Sequence, residues 1–249
     1  MKKRREKNNL IKVIMITVIV GFVFLFLIVP LFLVLFDGEK IGNVALIPVE
    51  GIIMTSGTST VLGESVVASD TIVKFIEEAA ESSQIEAIVL EINSPGGSPV
   101  ASDEIGTAIK NAKDSGKPVV AVIREVGASG GYWIASATDY IIANRMSATG
   151  SIGVISSYVE FSGLMEEYGV GYEQLTAGKY KDMGTPFRQL KEEERDLFQN
   201  KVNKIYNIFI DEVALNRNMP REKVIDLATG EVYLGIEALN LGLIDQLGD

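Results

Sequence analysis

Residues 13–36 read VIMITVIVGFVFLFLIVPLFLVLF, a run without a single charge. No other feature restricts the folding of this chain as severely. As a helix the run reaches about 36 Å, enough to cross a hydrocarbon core of about 30 Å. It has no polar face with which to sit at the surface of a globular core. The flank before it, MKKRREK, is strongly basic, and Asp37 and Glu39 follow it. That asymmetry predicts a cytoplasmic N-terminus and an extracytoplasmic domain. A cleaved secretory signal would have a shorter apolar core and a small-x-small site, whereas DGEKIGNVA offers no convincing one. The expected organisation is therefore a basic N-terminus over 1–12, a single-pass transmembrane helix over 13–36, a linker over 37–43 and one domain over 44–249.

Composition then removes whole classes of chemistry. The 249 residues contain neither cysteine nor histidine. Disulfides, thiolate nucleophiles and cysteine metal sites are excluded, as are imidazole ligands and the Ser-His-Asp triad. Any hydrolase built here must find its base among Lys, Asp, Glu or Tyr. Net charge is −10 although residues 1–12 carry +5, which leaves the remainder at −15. Such an acidic domain repels polyphosphate, so nucleic acid is not an expected partner.

Beyond residue 43 the hydrophobic pattern alternates between strand and helix. VALIPVEG (44–51), EAIVLEIN (86–93) and PVVAVIRE (118–125) predict strands. Ile72, Phe75, Ile76, Ala79 and Ala80 form a helical stripe over 69–81. A second helix is expected over 99–113, with Ser98 as N-cap and Pro99 at the first helical position. SIGVISSYV (151–159), a helix near 161–168 and YEQLTAG (172–178) continue the alternation. A long helix near 190–216 places Phe198, Val202, Ile205, Phe209 and Val213 on one face. Units this short predict one α/β domain with mostly parallel strands.

Three glycine-rich turns each follow an apolar strand: SPGGS (94–98), GASGGY (127–132) and TGSIGV (149–154). Glycine lets backbone N–H groups approach a ligand, and a serine at a strand-to-helix turn is held exposed beside such donors. Ser129, followed by Gly130, Gly131 and a helical run, fits that arrangement. No phosphate-loop motif is present. A serine needs a base, and a lysine serves only when deprotonated, through burial or a cationic neighbour. TAGKYKDMG (176–184) offers Lys179 and Lys181, and spacing alone does not choose between them.

Taken together, INSPGGS (92–98), GASGGYWIA (127–135), TGSIGVI (149–155), GKYKDMG (178–184) and EVYLGIEALNLGLIDQLG (231–248) resemble the signal peptide peptidase A family in its short, single-domain form. The resemblance covers nearly everything from residue 44 onward. It implies a Clp protease/crotonase-like spiral of β-β-α units and a serine endopeptidase that degrades residual signal peptides. By position it makes Ser129 the nucleophile, Lys181 the general base, and Ser151 the hydroxyl that orients the lysine. It makes the N–H groups of Gly97 and Gly130 the oxyanion hole, with Gly96 shaping the turn. It implies no metal or other cofactor, peptide substrates, contact with membrane lipid, and a homo-oligomeric ring. Tyr132, Trp133 and the loop 55–66 are candidates for influencing specificity. Three other readings stand beside this one: a stomatin-associated membrane serine protease, a crotonase-like acyl-CoA enzyme, and a non-catalytic membrane scaffold. The C-terminal match and N-terminal anchor disfavour the first. The acidic external domain disfavours the second, and the intact Ser129–Lys181–Ser151 set disfavours the third.

Overall fold

The structure, a computed structural model, describes Met15 and residues 21–28, 42–57 and 65–249. The expected membrane segment lies mostly outside the described residues, which within it include a π-helical stretch at Phe24–Ile28. Most of the expected linker lies outside them too. Among the described residues no helix is long and apolar enough to cross a membrane. The chain divides into the units Met1–Gly42 and Asn43–Asp249, and the second is described here by itself.

Its central element is a sheet in which β1 (Val44–Glu50), β4 (Ala87–Ser94), β5 (Val119–Ala128), β6 (Tyr140–Ala143) and β9 (Gln246–Leu247) lie side by side. All of these neighbours pair in parallel. β4 buries Ile88, Leu90, Ile92 and Ser94 on one face, the period of two that a pleated strand demands. A smaller parallel pair, β2 (Ile52–Met54) with β3 (Val66–Ala68), follows β1. The domain is therefore α/β with a mostly parallel sheet, as the pattern predicts.

Helices cover the sheet. α1 (Ser69–Glu81) buries Ile72, Ile76 and Ala79, while Phe75 of the expected stripe is left exposed. α2 (Pro99–Asp114) begins where expected. The Ser98 hydroxyl accepts from the Ala101 N–H at 3.4 Å, and Pro99 needs no partner for an N–H it lacks. Ala101, Ile105, Ala108, Ile109 and Ala112 are buried in the hydrophobic core. Each fully buried isoleucine here contributes about 1.5–3 kcal/mol of transfer free energy. α5 (Glu192–Asn216) buries Phe209, Ile210 and Val213, and Phe209 stacks on Trp133 at 4.7 Å. Trp133 belongs to α3 (Gly130–Ser136). α4 (Ser162–Glu167), α6 (Arg221–Leu227), β8 (Val232–Leu234) and α7 (Gly235–Leu241) complete the unit.

β5 changes partners along its length. Val120–Ile123 pair with β6, whereas Val126–Ala128 pair with β7 (Ala148–Gly150). The change coincides with a register shift against β4, where Ile92 faces Ile123 but Ser94 faces Gly127. Asn93 Oδ1 accepts from the Val126 N–H at 3.2 Å and bridges the irregularity. The strand is thereby aimed at Ser129.

Two expected strands do not form. Residues 151–159 leave the sheet at once, because Gly150 (φ 78°), the last residue of β7, is followed by a second left-handed residue, Ser151 (φ 50°), and the extended backbone stops there. The Ser151 N–H donates to Glu231 O at 2.7 Å, which carries the register of β7 and β8 just past the strand end. The strand in this region is the short β7 just before it, antiparallel to β8. Residues 172–178 are likewise irregular and exposed.

Candidate active site

Ser129 stands between the end of β5 and the first turn of α3, with φ 52° and ψ −119°. A non-glycine residue at such angles carries strain of about 1–3 kcal/mol, which only surrounding structure can maintain. Here the Ser129 N–H donates to Gly150 O at 2.8 Å, and its carbonyl accepts from the Trp133 N–H at 2.9 Å. The serine is fixed from both sides by the core.

The SPGGS turn lies against this junction. Ser94, fully buried, donates to Gly51 O at 2.6 Å and accepts from the Gly96 N–H at 3.1 Å. Ile53 clamps the next residues: its N–H donates to Gly96 O at 2.9 Å and its carbonyl accepts from Ser98 N–H at 2.7 Å. Gly96 (φ 102°) approaches so closely that a Cβ there would stand 2.6 Å from the Gly130 nitrogen and 2.9 Å from the Ser129 Cβ. A Cβ on Gly97 would meet Ile53 O at 2.0 Å, and one on Gly130 would meet Ser102 Oγ at 2.4 Å and the Gly97 nitrogen at 3.2 Å. The glycines are thus required by packing. The N–H groups of Gly97 and Gly130 find no partner among the described residues, which leaves two neighbouring donors beside the serine.

All of this opens on a cavity of about 660 Å³ lined by Ser129, Gly97, Gly130 and Ser151. Pro95, Pro99, Trp133, Val202, Ile205 and Phe209 give it apolar walls, and Gln199, Asn203 and Thr229 add polar groups. No charged side chain lines it among the described residues. Tyr206 could in principle supply a base, but its hydroxyl donates to Ala228 O at 2.6 Å. Among the described residues the cavity therefore holds a serine and two N–H donors without a charged base.

Of the residues the sequence singles out, Ser129, Ser151, Gly96, Gly97 and Gly130 are brought together. Lys181 is not. It is exposed on a turn in which its N–H donates to Gly178 O at 3.2 Å, and it does not line the cavity. Lys179, on the same turn, is engaged elsewhere. Its Nζ donates to Glu193 Oε2 at 2.7 Å and lies 4.9 Å from the centre of the Tyr180 ring. The Glu193 carboxylate, and after it Tyr180, push this ammonium above the ordinary lysine value and hold it charged.

Tyr132 and Trp133 separate into different roles. Tyr132 is fully buried, with its hydroxyl donating to Leu243 O at 2.8 Å, and burial raises its pKa well above the ordinary phenol value. It is part of the scaffold, whereas Trp133 walls the cavity. Of the loop 55–66, residues 58–64 lie outside the described residues. The sequence put Val202, Ile205 and Phe209 on one face of α5 but did not point to their place in the cavity wall or to Ser102, because those contacts join segments far apart in the chain.

Known proteins resemble this chain in sequence and in fold. The sequence profile of peptidase family S49 matches residues 111–249, a stretch that includes Ser129, Ser151 and Lys181. The chain is 38% identical over 187 residues to the chloroplastic serine protease SPPA of Arabidopsis thaliana, covering 75% of this chain and 27% of that protein. It is 34% identical over 212 residues to an Enterococcus faecium protein provisionally named signal peptide peptidase SppA, covering 85% and 62%. The chain thus spans less than two thirds of either relative's length. Among solved structures, a serine-to-alanine mutant of 1510-N, a membrane-bound stomatin-specific protease, superposes with a TM-score of 0.54 at 19% identity, over 83% of this chain and 80% of that one. That likeness speaks for the fold. The resemblance read from the glycine turns is borne out by the profile and the relatives, and the chain belongs to peptidase family S49.

Proposed function

We propose that the chain is a membrane-anchored serine endopeptidase that cleaves residual signal peptides with Ser129 and Lys181. The observation that carries this reading is Ser129 itself, held at positive φ against two N–H groups without a partner among the described residues, in a cavity with uncharged walls. In the mechanism, neutral Lys181 takes the proton from Ser129 Oγ as the oxygen attacks a peptide carbonyl. The N–H groups of Gly97 and Gly130 stabilise the tetrahedral oxyanion, a contribution of about 3–4 kcal/mol per donor in comparable sites. The lysine ammonium returns the proton to the leaving amine. Water, deprotonated by the same lysine, then hydrolyses the acyl-enzyme. Ser151 orients the lysine, and Gly96 keeps the SPGGS turn against the nucleophile.

The lysine comes from a second copy of the chain in a ring, and the β-β-α units of the domain follow the Clp protease/crotonase spiral. Supporting a shared site are the absence of charge in the cavity lining among the described residues and the exposure of Lys181. The segment carrying that lysine also exposes Ile155, Val159, Leu164, Tyr168, Val170 and Leu175, an apolar surface that suits a partner subunit. Mixing Ser129→Ala with Lys181→Ala subunits under conditions of exchange is expected to restore activity. Persistent inactivity with exchange confirmed by a labelled subunit would rule out the shared arrangement.

An anchor over residues 13–36 sets the site near the bilayer, where cleaved signal peptides collect, and the apolar walls suit their central segments. Protease added to cells stripped of their wall is expected to digest residues 44–249; full protection would contradict the orientation. The direct test of substrate class is mass spectrometry of a synthetic signal peptide after incubation with the full chain. Cleavage products that vanish with Ser129→Ala support it, and an intact peptide contradicts it.

A further inference from the structure

Only one charged side chain is completely buried among the described residues, the carboxylate of Glu194, and the mechanism above leaves it without a task. It sits in the first turn of α5, three residues after Lys191, and accepts from the Lys191 N–H at 3.0 Å. That bond closes the start of the helix. The remaining lone pairs face Arg188, whose Nη1 and Nη2 donate to the two carboxylate oxygens at 2.8 and 2.7 Å. The same guanidinium extends its Nε to Asp182 Oδ2 at 2.7 Å. Asp182 is the residue directly after Lys181. One planar cation therefore ties the lysine turn to the helix whose next turns wall the cavity.

Helix capping alone does not require this. The capping bond uses one oxygen of Glu194, and an exposed lysine turn needs no guanidinium reaching across it. The turn is otherwise held by short local bonds, Lys181 N–H to Gly178 O and Met183 N–H to Tyr180 O, both 3.2 Å. A Cβ on Gly184 (φ 83°) would stand 3.1 Å from the Phe198 ring of α5, so the end of the turn admits only glycine there without a shift. The charged groups around Arg188 are Asp182 and Glu194, with Lys191 also acting on both carboxylates and the Lys179–Glu193 pair on the neighbouring side of the turn. Arg188 holds the carboxyl of Glu194 down at about 2 and that of Asp182 below its ordinary range, so both stay ionised wherever a lysine base could work.

We propose that Arg188, locked by Glu194, is a positioning residue for Lys181: it fixes the turn that presents the lysine and neutralises the carboxylate of Asp182, the next residue in the chain. The inference rests on the reading of Lys181 as the base. Its consequence is chemical as well as geometric. An unpaired carboxylate next to an ammonium favours the charged form, which is the form a base cannot use. Arg188 withdraws that carboxylate. Lysine in its place would keep a charge without the fork that reaches both acids.

The test measures kcat and KM of the full-length protein on an unfolded peptide from neutral to alkaline pH. Arg188→Gln is expected to lower kcat on the order of 100-fold at neutrality with little change in KM. Its rate should climb at higher pH than that of the native enzyme, so the deficit shrinks as pH rises. Arg188→Lys should recover part of the loss. In a Lys181→Ala background, Arg188→Gln should not slow the residual labelling of Ser129 by a fluorophosphonate any further. A native rate in Arg188→Gln overturns the proposal. So does a deficit that is the same at every pH and persists without Lys181, because that is the mark of a purely structural role. If Arg188→Gln fails to fold, Asp182→Asn replaces it: reduced kcat with the pH profile undisplaced supports the tether, and native kcat overturns it. Should Lys181→Ala itself remain active, the base assignment falls; should it be dead while Arg188→Gln is fully active, only the present inference falls.

Discussion

Ser129 and Lys181 occupy contrasting surroundings. Around the serine, residues 128–137 are almost entirely buried, and both neighbouring backbone bonds run into the sheet or the helix. Around the lysine, residues 155–181 form no strand and only one short helix, with Ile155 and Leu175 more than nine-tenths exposed. The first region is fixed by its own core. The second is fixed by a few polar clamps and has apolar surface left over. Under the proposed roles, a nucleophile with its oxyanion donors must be preorganised to be useful, whereas a base can be delivered to it. The difference is what a site assembled from two segments, or two subunits, requires.

The contrast breaks most sharply at the nucleophile. Ser129→Ala is expected to lower peptidase activity at least about 10⁴-fold with the fold intact, as judged by an unchanged circular dichroism spectrum. Lys181→Ala should fall to a comparable level, and the native rate should rise with pH, since only the neutral amine accepts a proton. Retained turnover in either variant would dissolve the pairing. Gly130→Ala comes next. Its Cβ would collide with Ser102 Oγ and disturb one oxyanion donor, at an expected cost of about 10²–10³-fold in kcat. A near-native kcat would mean that the serine region is not the rigid half described above.

Smaller effects sharpen the lysine side. Glu194 has its pKa lowered from an ordinary 4.5 to about 2 in the folded state. Its stabilising contribution is therefore complete above about 4.5 and is lost as pH falls toward 2. Glu194→Gln should have a lower Tm than the native protein at neutral pH, with the gap closing through that acid window. Parallel Tm curves down to pH 2 would contradict the clamp. The smallest expected effect is that of Lys179→Ala. Its ammonium is occupied by Glu193, so activity should stay near native, and a collapse would move the base to Lys179.

The sequence was most legible where one local rule decides the outcome. β4 shows in the alternation of 86–93, and α2 in the Ser98-Pro99 start, because strand period and helix capping are local. GASGGY announced the serine turn for the same reason. The expected strand over 151–159 failed at Ser151, whose left-handed backbone depends on a bond to Glu231, 80 residues away. No periodicity contains that bond. The pairing of Lys179 with Glu193 was equally hidden, since it joins the turn to a residue on α5. Ser102 and Arg188 stayed unseen because they act through groups on other elements. Glu194, the third residue of α5, was hidden in the same way, since its partner Arg188 lies outside the helix.

The central claim is that Ser129 is a nucleophile activated by Lys181, and covalent labelling tests it most directly. The full-length protein is treated with a fluorophosphonate and digested, and the modified residue is located by mass spectrometry. The account predicts one adduct, on Ser129, forming faster as pH rises and suppressed in Lys181→Ala. An adduct confined to another serine, or labelling of Ser129 at the native rate without Lys181, would contradict it.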